Sequence, residues 1–132
     1  MPNNLYLVFS GPPDGVSAEE YERWYHQHVR ENILVPGFSA GQRFAIAQTM
    51  SGSRVASGTF DSDVGERNEP APFTHLALYE YDGRTIDELR HDLFARIESG
   101  ETILPEWFDR VHFMTWDCKA IEDRVVPEPV SA

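Results

Sequence analysis

Apolar positions recur along the chain in two rhythms, one of period two and one of helical period. Residues 5–10, LYLVFS, are apolar on both alternating faces, which predicts a strand covered on both sides. The turn-rich GPPDG ends it, and Ser17 with Glu20 three positions on forms a capping-box signature. An apolar stripe follows at helical spacing through Tyr21, Trp24, Tyr25, His28 and Val29, while Glu22, Arg23, Gln27 and Arg30 fall on the other face. Pro36-Gly37 closes this helix. Residues 38–48 read as a second strand, whose small residues Ala40, Gly41, Ala45 and Ala47 imply a close approach by something above it. Residues 50–72 lack sustained periodicity and read as a long loop or irregular hairpin. A third strand is expected over 74–82. A second capping box, Thr85 to Glu88, then starts a helix with Ile86, Leu89, Leu93, Phe94 and Ile97 on one stripe, ending near Gly100. Residues 110–121 read as a fourth strand, and the tail 122–132, with two prolines, is expected to be poorly ordered.

The predicted order is β-α-β-β-α-β in one domain over residues 1–121, an α+β, ferredoxin-like protomer with a four-stranded antiparallel sheet and two helices on one face. Two helices cover a single face, yet LYLVF and HLALY are apolar on both. A second copy of the sheet, in a homodimer, is the economical cover.

Composition narrows the partners. The chain holds 22 acidic and 11 basic residues, a net charge of -11 with one lysine, Lys119, so nucleic acid and anionic membranes are set aside. No apolar run reaches the ~18 residues of a membrane span, and the N-terminus lacks a basic n-region, so a cytoplasmic location is expected. A single cysteine, Cys118, excludes an internal disulfide and reads as a small buried hydrophobe. No cofactor or metal is expected. SGPPDG has two prolines where a phosphate loop needs donors, no Gly-x-Ser-x-Gly elbow occurs, and His26 and His28 diverge on a helix.

The stretch WYHQHVRENILVPGFSAGQRF resembles the dimeric α+β barrel superfamily, in its EthD-like and small uncharacterised branch. The family pattern W-Y-x-x-H-x-x-x-x-L-x-V-P-G-F-x-x-x-x-R-F is matched by Trp24, Tyr25, His28, Val35, Pro36, Gly37, Phe38, Arg43 and Phe44, with Leu34 one position off the spacing. HLALYEYDG, 75–83, is similar to the family's third strand and following turn. The resemblance implies sheets paired into a barrel between two subunits and a small-molecule site between sheet and helices. The superfamily includes cofactor-free monooxygenases, muconolactone-type isomerases, polyketide cyclases, dehydratases and haem-binding branches, so substrate does not carry over.

His28 is the candidate general acid/base, because it lies on the stripe facing the sheet while His26 points to solvent. Tyr25, one turn earlier, is placed to position a substrate or orient the ring, and Trp24 to form wall. His75 alternates with Tyr79 and Tyr81, and His112 with Met114, Trp116 and Cys118; His75, Tyr79, His112 and Trp116 line the substrate if their faces look toward the first helix. Arg43, a cation in a small-residue strand, needs a carboxylate such as Asp117 or an anionic ligand. His91, beside Arg90 and Asp92, is expected to be exposed. The expected activity is a lyase or isomerase step (dehydration, cyclisation or proton shift) on an apolar or aromatic metabolite. The alternatives are a cofactor-independent monooxygenase on a phenol or quinol and a non-catalytic ligand-binding barrel.

Overall fold

A computed structural model describes residues 3–47, 49–52, 66–69 and 72–129. Strand β1 (Asn4–Ser10) leads to helix α1 (Ala18–Asn32), and strand β2 (Phe38–Ala45) follows. A small hairpin pairs β3 (Thr49–Gly52) with β4 (Glu66–Glu69). Then come β5 (His75–Tyr81), α2 (Ile86–Glu98), a 3-10 helix (Glu106–Arg110) and β6 (Met114–Cys118). The main sheet has the order β2-β5-β1-β6 with every neighbour antiparallel, the α+β ferredoxin-like arrangement. The irregular-hairpin reading of 50–72 holds for β3 and β4, and the rest of that stretch lies outside the described residues.

The fourth strand differs from expectation. Strand structure begins at Met114 rather than residue 110, because Pro105 directs the chain into the 3-10 helix. His112 therefore lies in an exposed connection and belongs to no strand. Residues 122–129 form no helix or strand.

The two helix starts also differ. In α2, Thr85 accepts from the Glu88 backbone N–H and the Glu88 side chain accepts from the Thr85 backbone, a complete capping box. In α1, Ser17 accepts from the Glu20 backbone N–H, but the Glu20 carboxylate accepts instead from Trp107 Nε1 at 3.3 Å. One first-turn glutamate thus gives up half a capping box to anchor the 3-10 helix.

Cross-strand register assigns the faces. Tyr6 is opposite Tyr79 and Asp117, Val8 opposite Ala77 and Thr115, and Gly41 opposite Tyr79. These residues face the helices, where Tyr21, Tyr79, Tyr81 and Leu89 form the fully buried centre. The close approach expected at β2 occurs at Gly41. A Cβ there would meet Ile33 Cγ2 at 2.8 Å and Val29 Cγ1 at 3.1 Å, so the absent side chain lets α1 settle on the sheet. The tyrosine hydroxyls in this core require partners. Tyr21 bonds the buried Ser10, Tyr79 accepts from Asn32 Nδ2 at 3.1 Å, and Tyr81 donates to Asp117.

The opposite face carries Leu5, Leu7, Phe9, Leu76 and Leu78 across β1 and β5, flanked by Phe44, Met114 and Trp116, which are 39%, 44% and 53% exposed. Phe9 and Trp116 stack edge-on at 5.1 Å. No helix among the described residues is long and apolar enough to cross a membrane.

Candidate functional site

A cavity of about 150 Å3 opens between the two helices above β1 and β6. Helix α1 contributes Trp24, Tyr25, His28 and Asn32 to its wall, and the sheet floor contributes Tyr6, Val8, Tyr79 and Thr115. Helix α2 adds Arg90, Leu93, Phe94 and Ile97, while the segment from the 3-10 helix to β6 adds Phe108, Val111 and Phe113. The helical stripe explains this placement: successive turns of α1 put Tyr21, Trp24, Tyr25 and His28 on the side that meets the sheet.

His28 stacks on Trp24 with ring centroids 4.6 Å apart and 23° between planes. Tyr25 meets it edge-on at 5.7 Å, and Phe108 lies at 6.3 Å. Burial among these rings pushes the imidazole down to about 4, so it is neutral near pH 7. Its Nδ1 is shielded from solvent and has no hydrogen-bond partner among the described residues, and Trp24 Nε1 beside it is in the same state. Each such group costs about 1–3 kcal/mol in a folded protein, a cost that a bound polar partner would relieve.

The tyrosines act in the opposite electrostatic sense. Burial raises Tyr21 and Tyr79 to about 12 and holds Tyr25 well above its ordinary value, with Ser10 and Asn32 hydrogen bonds offsetting part of the effect. All three remain protonated donors through the physiological range. The Tyr25 hydroxyl neighbours both Ser10 and Tyr79, between the Tyr21–Ser10 and Asn32–Tyr79 hydrogen bonds.

Four of the residues singled out from sequence do not line this cavity with the others. Arg43 pairs with Glu22, not with Asp117, and its guanidinium lies 5.6 Å from the Tyr25 ring centroid on the β2 side. Glu22 therefore leaves the solvent face to which the helical period assigned it and reaches over the sheet edge. His75 does face the helices, but its ring engages Tyr21 edge-on and bonds Glu22 through Nε2 and Thr74 through Nδ1. A carboxylate only accepts, so His75 Nε2 is the donor in its bond to Glu22. Burial works against the Glu22 charge, but the Arg43 and His75 bonds outweigh it and hold the carboxyl below its ordinary value. Trp116 lies on the opposite face of the sheet, and His112 is exposed ahead of β6. Trp24, Tyr25, His28 and Tyr79 are thus brought together. Arg43 and His75 form a separate cluster that shares Tyr25 and Tyr21 with them, and His112 and Trp116 stand apart.

Sequence reasoning missed Arg90, Asn32 and the wall from Phe108 to Phe113. The signal for the wall was EWFDRVHF, an aromatic cluster directly after a proline. Arg90 carried none, since Arg-His-Asp on a helix reads as a solvated face. A haem does not fit: the volume suits one ring rather than a four-pyrrole macrocycle, and among the described residues His28 Nδ1 has none of the orienting partners that ligating histidines use.

No family model and no curated protein matches the chain. Among solved structures, a hypothetical protein of Arabidopsis thaliana, determined in solution, is 13% identical over 92% of this chain and 93% of its own, with a TM-score of 0.43.

Proposed function

We propose that the protein is a cofactor-free enzyme of the lyase or isomerase type acting on a small aromatic or apolar metabolite. The observation that carries this reading is His28, a neutral imidazole in an aromatic-walled cavity with an unpaired ring nitrogen. A neutral imidazole takes a proton from the substrate and returns it to a neighbouring atom, which completes an isomerisation. If the proton goes to a departing hydroxyl, the step is a dehydration that releases water. Neither route needs an oxidant or co-substrate. Tyr25, a protonated donor one turn away, positions the substrate or polarises an oxygen as charge develops. His28→Gln is expected to abolish turnover in a screen of proton-shift and dehydration substrates while the protein stays folded. Turnover that required oxygen would move the assignment to the monooxygenase class.

A second reading has its own support. His28 is pushed to about 4 and Tyr79 to about 12, both away from neutral pH, a pattern that also suits a non-catalytic binding barrel. That reading predicts ligand recovered unchanged, with affinity altered by His28→Gln and no turnover to lose.

The reading includes a homodimer. The apolar sheet face bearing Phe44, Met114 and Trp116 is the surface on which a second copy would sit, closing a barrel between two sheets.

A further inference from the structure

We infer that the cavity takes a single-ring aromatic carboxylate, with the ring held against Trp24 and His28 and the carboxylate bound by Arg90. This inference rests on the reading of the cavity as a substrate site and adds the class of substrate.

Arg90 projects from α2 onto the cavity and is half-buried there. Its Nε donates to the Tyr6 hydroxyl at 3.4 Å, its Nη2 donates to Thr115 Oγ1 at 2.9 Å, and its guanidinium carbon lies 5.5 Å from the Tyr6 ring centroid. These contacts fix the plane of the fork and leave Nη1 with no protein partner among the described residues. Asp87 and Asp117 act on the guanidinium by charge alone, and neither forms an ion pair with it. In a chain carrying 22 acidic residues, a half-buried arginine without a carboxylate partner is out of keeping. The other half-buried arginines among the described residues, Arg43, Arg84 and Arg96, pair with Glu22, Asp92 and Glu101.

The rest of the wall explains which anion fits. Arg90 is the single permanent charge on it, and no carboxylate lines the cavity among the described residues. The volume, about 150 Å3, equals that of an apolar protein cavity known to hold one benzene ring. Phe94 and Phe113, 62% and 49% exposed, rim the opening. A guanidinium held flat by two hydroxyls presents the donor geometry that matches a carboxylate. A dicarboxylate or sugar acid would leave hydroxyls and charge unpaired against Phe108, Leu93 and Ile97.

The test uses benzoate, benzamide and benzyl alcohol as probes, with binding followed by calorimetry and by proton–nitrogen chemical shifts of the intact protein. Benzoate is expected to bind at least tenfold more tightly than either neutral probe, with shifts at His28 and Thr115. Arg90→Gln is expected to erase that preference by weakening benzoate alone, and Arg90→Lys to restore part of it. A purely structural Arg90 would weaken all three probes together, and that result overturns the inference, as does equal binding of benzoate and benzamide or no binding of any probe. His28→Gln separates the two readings. Turnover surviving that change removes the general-base assignment, whereas benzoate selectivity surviving Arg90→Gln removes the anion site.

Discussion

At the scale of single residues, His28 joins two effects of one burial. Unfolded, the ring protonates near pH 6.5; folded, near 4. Between those values the unfolded chain holds the extra proton, so stability falls as pH drops through this window and the loss is complete below about 4. The size is on the order of 3 kcal/mol from this side chain. His28→Gln should flatten the pH dependence of urea unfolding between pH 6.5 and 4, measured against the parent. A base used in its neutral form also predicts that kcat/KM declines only as pH approaches about 4. Arg43 and Arg90 show why residue roles were half legible. The sequence marks Arg43 as a cation in a small-residue strand and leaves Arg90 on a face that reads as solvated, but a guanidinium's partner is chosen in three dimensions: Glu22 answers Arg43 from a neighbouring helix, while no carboxylate among the described residues pairs with Arg90.

At the scale of elements, the two helices differ in how they start and in how closely they pack. Thr85→Ala and Ser17→Ala should each cost about 1 kcal/mol. The Thr85/Glu88 pair should be non-additive in a double-mutant cycle and the Ser17/Glu20 pair additive, because Glu20 is spent on Trp107. Gly41→Ala is expected to destabilise by about 1–3 kcal/mol in denaturant melts, since Ile33 and Val29 must give way on a helix already seated against the sheet. The long elements were readable in the sequence because periodicity accumulates: the α1 stripe runs from Tyr21 to Val29, about two and a half turns, and β1 and β5 repeat over seven residues each. The 3-10 helix spans five residues, too few for a period to register, and its Trp107 is buried by tertiary contact rather than by local pattern. Strand parity likewise grouped Met114 with Trp116 correctly, but only register against Tyr6 and Val8 says that this group faces away from the helices.

At the scale of the whole molecule, the sheet has two apolar faces and the described helices serve one of them. Trp116→Lys should shift the light-scattering mass from dimer to monomer without unfolding the protomer, because the change lies on the face opposite the core. A parent protein already monomeric at micromolar concentration would end the homodimer reading. The same division distributes the three tryptophans. Trp24 and Trp107 meet edge-on at 5.2 Å beside the cavity, whereas Trp116 lies on the far side of the sheet and is half in solvent. The chain therefore carries two optical reporters that do not overlap. The close perpendicular indole pair gives a near-ultraviolet circular-dichroism signal sensitive to anything entering the cavity, and the outer indole gives red-edge emission that moves to the blue when its face is covered. Occupancy and association can be read from one unlabelled sample.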